Sequence, residues 1–218
     1  MPAVATEVFP SAQAVIDRMR ERPIPGQRVS LRLDAPLDGE SFLRWCAEHP
    51  EARAELEPDG TITLMTPAGL KSNTNENWAS YKLTQWWEER GTPGQVFGPN
   101  AGFTLPDGSV RAPDASWISQ AKREALSERE FDGFARVVPD FVIEVLSKYD
   151  GLGPARQKLV EVWMAAGVQL GWLIAPRHNL AEVYRPGADV LFFEGFDREL
   201  SADPVVPGFA FDLRRLVR

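Results

Sequence analysis

Apolar and polar positions along this chain recur with two periods, and the switches between them mark the elements. Residues 11–20 (SAQAVIDRMR) predict a short helix with Ser11 as its N-cap, stopped by RPIPG at 22–26. Residues 38–49 predict another, opened by Asp38 or Gly39, with Phe42, Leu43, Trp45 and Cys46 on an apolar face. The stretches 53–57 and 61–66 flank Pro58-Asp59-Gly60, a hairpin signal. From Asn73 to Glu89 the spacing of Trp78, Tyr81, Leu83, Trp86 and Trp87 is helical, and Gly91 and Pro93 end it.

Strand signals dominate next. Residues 95–105 and 110–118 read as two strands joined by Pro106-Asp107-Gly108, and 137–147 (VVPDFVIEVLS) as a β-branched third. A loop containing Gly151 and Gly153 leads to Pro154, where a helix can begin because its first residue needs no N–H. That helix reaches about Ala166 and stops at Gly167; strands at 170–175 and 181–185 follow, and the chain closes through PVVPGFAFDL. Helix, three strands, helix, strand is the order of an α/β mixed sheet sandwiched by helices.

Within 141–146, Phe141, Ile143 and Val145 point one way along the strand, and Val142, Glu144 and Leu146 the other. Glu144 therefore sits among apolar neighbours, where an ionised carboxylate is costly unless it is paired or holds a cation. The plainer alternative is a salt bridge to a nearby Arg or Lys. Asp114 follows Pro113 and heads a strand containing Trp117 and Ile118; on its own it reads equally as a turn-capping acid. Lys158 lies on the helix after the Glu144 strand, beside an apolar stripe of Leu159, Trp163 and Ala166. It either snorkels along that stripe or carries its ammonium to the carboxylates. Gln157 is a possible auxiliary group, and Lys148 a second source of an ammonium. Glu55, in the first hairpin, either faces the same cleft or is an exposed strand charge, while Glu57 and Asp59 belong to the solvated turn.

Two carboxylates and a lysine suit a hard divalent cation, Mg²⁺ or Mn²⁺, which keeps waters and completes its shell with phosphate. Composition narrows the alternatives. One cysteine, Cys46, and two histidines, His49 and His178, leave no Cys-based or multi-histidine metal site. They suit a reducing, cytoplasmic compartment, as does an N-terminus without a secretion-signal pattern. No apolar run approaches bilayer length. The net charge of −7 argues against tight, indiscriminate nucleic-acid binding. GLGPAR at 151–156 lacks the third glycine of a dinucleotide fingerprint.

The blocks AELEPDGTITLMTPAG, GFTLPDGSVRAPDASWIS, VPDFVIEVLS, QKLVEVWMAAGVQLGWLIAP and VYRPG, in that order, resemble the Uma2 family of bacterial proteins. That family is grouped with the PD-(D/E)XK, restriction-endonuclease-like proteins. The resemblance covers roughly residues 53–186 and implies a mixed four-stranded core sheet flanked by helices, with N-terminal helices and a hairpin added. It implies one domain over 1–218, with 1–50 as a helical extension. It makes Asp114 the motif aspartate, Glu144 the motif acid on the next strand, the Val145 carbonyl a third metal ligand and Glu55 an accessory acid. Leu146 stands where the superfamily lysine is expected, and Lys158 on the helix matches the lysine of the family. The implied activity is Mg²⁺- or Mn²⁺-dependent hydrolysis of DNA; the alternative is a non-catalytic binding or regulatory protein on the same scaffold. Seven tryptophans fit core or subunit contacts. The strand at 190–193 and the apolar tail 205–211 are expected to cover a sheet edge or pair two copies as a homodimer.

Overall fold

The computed structural model describes residues 17, 28–33, 35–50, 52–148 and 150–216. In chain order these form β1 (Arg28–Leu31), α1 (Gly39–Glu48), β2 (Arg53–Leu56), β3 (Ile62–Met65), α2 (Leu70–Arg90), β4 (Gln95–Phe97) and β5 (Phe103–Thr104). Next come β6 (Val110–Arg111), β7 (Ala115–Ile118), α3 (Gln120–Ala125), α4 (Glu128–Phe131), β8 (Phe141–Val145) and α5 (Leu152–Gln157), which runs on as a wider π-turn over Lys158–Met164. Strands β9 (Leu170–Ala175), β10 (Leu180–Tyr184), β11 (Leu191–Glu194), β12 (Glu199–Ser201) and β13 (Ala210–Asp212) complete it.

The first hairpin forms as its sequence signals. β2 and β3 pair antiparallel, Glu55 opposite Thr63, across a turn in which Gly60 has φ +79°. A side chain there would also strike Pro36, 2.5 Å from the position of a Cβ. The pair lies inside a five-stranded sheet of order β1-β3-β2-β6-β5. Alternation gives that sheet two unlike faces. Val29, Leu31, Leu56, Ile62 and Leu64 bury themselves with Phe42 and Trp45 of α1. Glu55 and Arg111 lie on the other face and turn toward the rest of the molecule.

The second sheet has the order β11-β10-β9-β8-β7-β4; only its β8–β9 pair is parallel. The four-stranded core expected from the resemblance is its centre, β10-β9-β8-β7, widened by β11 and β4. Phe141, Ile143 and Val145 face α2, against Ala79, Leu83 and Trp86. Val142 and Leu146 face α5, against Leu159 and Trp163. Gly171 brings that helix close: a Cβ there would sit 2.7 Å from Leu159 and 3.1 Å from Met164. This sheet is thus covered on both faces, which is why its central strands are almost wholly apolar.

Several expectations need correction. The segment before residue 50 is not purely helical, because RVSL at 28–31 pairs with β3; its alternation buries Val29 and Leu31. The helix expected at 11–20 falls outside the described residues, Asp17 apart. The two long strands around Pro106-Asp107-Gly108 are four short ones. β5 and β6 form the hairpin in the first sheet, while β4 and β7 pair in the second. The chain changes sheets between them, so neither run is continuous. The tail covers a sheet face, not an edge: Phe209 and Phe211 pack on Trp172, and Phe209 on Phe141 and Trp86.

Candidate active site

Asp114 stands one residue before β7. Its N–H donates to the carbonyl of Ile143 at 3.1 Å, and its Oδ2 accepts the N–H of Val145 at 2.7 Å. Backbone and side chain thus reach the residues on both sides of Glu144. Glu144 projects from β8 toward α5 as its alternation predicts, with its side chain 12% exposed. Its Oε1 accepts the indole N–H of Trp163 at 2.7 Å and lies 2.9 Å from Nζ of Lys158.

Lys158 begins the π-turn of α5. The wider spacing shows in the Ala165 N–H, which donates to the carbonyl of Val160 five residues back. Such turns re-aim side chains and recur at functional sites. Here the turn carries both Lys158 and Trp163 onto Glu144. The ammonium also donates to Oε1 of Glu55 at 3.0 Å and so bridges an acid from each sheet.

Glu55 is 1% exposed, which removes the reading of an exposed strand charge. Its Oε1 accepts the Ala112 N–H at 3.2 Å; Arg28 and Arg111 approach Oε2 at 3.4 and 3.5 Å. Burial opposes its charge, but Lys158, Arg28 and Arg111 outweigh burial and lower its pKa to about 2. Arg111 also pairs with Glu57, whose Oε1 accepts from Thr63. Glu57 therefore belongs to this layer and not to the turn, while Asp59 does lie exposed, paired with Arg32.

The electrostatics reverse at Asp114. Burial, then Glu144 and then Glu76 push its pKa well above the usual carboxylate range, and the Val145 N–H and Lys158 only partly offset them. Glu76, buried on α2, is itself shifted upward by burial and by Asp150 and Glu144, against the pull of Arg53. Three acids thus share one potential with too little positive charge. Lys158 stays an ammonium: burial lowers its pKa, but Glu144 and Glu55 more than restore it.

Among the described residues no three His, Cys, Asp or Glu side chains converge closely enough to hold a metal ion between them. The donor set that fits a divalent cation is the pair Asp114 and Glu144. Both are hard oxygen donors, and each has one oxygen engaged by protein N–H donors, Oδ2 and Oε1. Mg²⁺ characteristically takes one or two carboxylates and fills its shell with water and phosphate, so two suffice.

Comparison with known proteins decides the family. A family model described as "Putative restriction endonuclease", Uma2, matches residues 40–214. The chain belongs to the Uma2 family. The match extends well beyond the 53–186 of the sequence resemblance, through β13. A crystal structure of a "putative nuclease belonging to DUF820" from Anabaena variabilis ATCC 29413 superposes with a TM-score of 0.66. Identity is 20%, with 83% of this chain and 97% of that one covered; the likeness is one of fold. No curated protein matches the chain. Among the described residues no helix is long and apolar enough to cross a membrane.

In this Uma2 chain, then, the structure brings together Asp114, Glu144, Lys158 and Glu55, and the Val145 amide grips Asp114. It does not bring Gln157, whose amide donates to Glu161 at 2.7 Å. Four further members, Glu76, Trp163, Arg28 and Arg111, were not visible as site residues in the sequence. Trp163 reads there only as core, which it also is. Glu76 lies among polar neighbours (SNTNEN), and only the depth at which α2 sits reveals it.

Proposed function

We propose that this Uma2 protein is a metal-dependent nuclease that hydrolyses DNA phosphodiester bonds at Asp114, Glu144 and Lys158. The observation that carries the reading is the placement of one acid on β8 and another at the head of the adjoining β7, with an ammonium 2.9 Å from Glu144, in a family whose model is described as "Putative restriction endonuclease". Asp114 and Glu144, with the carbonyl of Val145, would hold Mg²⁺ or Mn²⁺. A cation bound there supplies polarisation of a phosphoryl oxygen and a water of lowered pKa.

The remaining roles belong to the chain itself. Lys158, kept charged between Glu144 and Glu55, offers its third N–H donor to the phosphate or the attacking water and favours developing negative charge. Trp163 fixes the rotamer of Glu144 by its indole N–H. Glu55 positions Lys158 and is not itself placed on the reacting atoms. Arg28 and Arg111 keep Glu55 ionised so that it can do this.

The test is incubation of the protein with supercoiled, linear and single-stranded DNA, with Mg²⁺ or Mn²⁺, beside Glu144→Gln. Cleavage by the wild type alone supports the reading. No cleavage of any form, or equal cleavage by the variant, sinks it in favour of a binding protein on a nuclease scaffold. The cytoplasm suits such a substrate and the free Cys46. A homodimer remains part of the proposal: β11 ends its sheet, and Leu191 and Phe192 on it are exposed. Sedimentation of wild type and Phe192→Glu checks it, with the variant alone expected to run as a monomer.

A further inference from the structure

A second polar cluster lies where the parallel strands β8 and β9 end. Leu146, Ser147, Lys148, Asp150, Arg177 and His178 line an open pocket of about 250 Å³. That is several times the roughly 30 Å³ share of one liquid water, so a solvated phosphate group fits. In α/β sheets the crevice beyond the carboxyl ends of parallel strands is where ligands bind. Two cationic side chains and a histidine meet there in a chain of net charge −7. Asp150, the one acid of the lining, has one oxygen engaged: its Oδ2 accepts the Ser147 N–H at 2.8 Å. Arg177 donates from Nη1 to the carbonyl of Lys148 at 3.1 Å, which fixes the guanidinium across the pocket and occupies one of its five N–H donors. Histidine can donate to an anion as the neutral or the charged ring. The pocket also adjoins the carboxylates: its wall begins at Leu146, the residue after Val145, whose N–H donates to Asp114 at 2.7 Å.

We propose that Lys148, Arg177 and His178 form a phosphate-binding subsite that seats a backbone phosphate next to the one held at Asp114 and Glu144. The strand assignment rests on the nuclease reading; the anion site itself does not. A strand crossing the ends of β8 and β9 would place one phosphate at the acids and the neighbouring one against the guanidinium fork, which suits phosphate geometry. Contacts of this kind set register and carry no sequence preference.

The chain has two histidines, which makes the test specific. His49 is stacked on Trp45 with ring centroids 4.4 Å apart, its Nδ1 at 2.9 Å from the Trp45 carbonyl, and serves as internal reference. The ring C–H resonance of His178, assigned with His178→Gln, is followed by NMR while inorganic phosphate or a short single-stranded oligodeoxynucleotide is added. The His178 signal should move and saturate with both while that of His49 stays still. Arg177→Ala and Lys148→Ala should each weaken oligonucleotide binding about tenfold and lower the salt slope of log K by about one. A stationary His178 signal, or unchanged affinity in both variants, overturns the subsite. Saturation by phosphate without oligonucleotide binding overturns the strand assignment and leaves a free-phosphate pocket. DNA cleavage on the same samples separates the two ideas. Cleavage with a silent His178 leaves the nuclease and removes the subsite; saturation by the oligonucleotide without cleavage does the reverse.

Discussion

Glu55 is buried and Asp114 half-buried, and both feel the charge of Lys158, yet their surroundings drive them in opposite directions. Glu55 projects from the polar face of the five-stranded sheet into Lys158, Arg28 and Arg111 and is held ionised, its pKa near 2. Asp114, just before β7 of the six-stranded sheet, meets Glu144 and Glu76 instead, and its pKa rises. One acid already has its cations; the other lacks one. The difference separates a positioning group from a group that fits a metal, a distinction that burial alone does not make.

The largest expected effect is on activity. Asp114→Asn and Glu144→Gln should each lower DNA cleavage by on the order of 10²–10³-fold, whereas Glu55→Asp, which keeps the charge, should lower it far less. Equal losses at all three positions would break the comparison. Next comes stability: Glu55→Gln leaves three cations facing an uncharged group and should cost about 3–5 kcal/mol, read from denaturant unfolding of wild type and variant. Trp163→Phe keeps the packed ring but removes the indole N–H from Glu144. It should cost about 1 kcal/mol and raise the metal concentration that supports half-maximal cleavage.

The two acids should also give opposite pH dependences. The contribution of Glu55 is present above its ordinary value of 4.5 and is lost as pH falls from there toward about 2. Asp114, raised in the folded state, contributes fully below its ordinary value of 3.8, and that contribution is lost as pH rises through its raised pKa. Metal-free Asp114→Asn should therefore unfold about 2–4 °C above wild type at pH 8, the smallest effect of the series. Near pH 4 the gap should close. A variant less stable than wild type at pH 8 would show that Asp114 already has a compensating partner.

Most of the site was legible in the sequence because strand alternation dictates it. Glu144 had to point away from Phe141 and Val145, and helical spacing put Lys158 one turn before Val162 and beside Leu159. The first hairpin and α2 followed from turn residues and aromatic spacing. Glu76 and Arg28 were not legible, since their roles arise where two sheets and a helix meet and no local pattern records that meeting. The splitting of the 95–118 region escaped for a related reason: both halves carry strand-forming residues, and only tertiary pairing shows that the chain changes sheets there. Trp163 looked like core because it is core; its indole N–H does the second task.

The most direct measurement of the central claim is calorimetric titration of Mn²⁺ into folded wild type, Asp114→Ala, Glu144→Ala and Glu55→Asp, with uncleavable phosphorothioate DNA present to complete the metal shell. Saturable binding by the wild type and Glu55→Asp, lost in both alanine variants, is the predicted result. Binding that survives the removal of Asp114 and of Glu144, or no binding to the wild type with DNA in place, would contradict it.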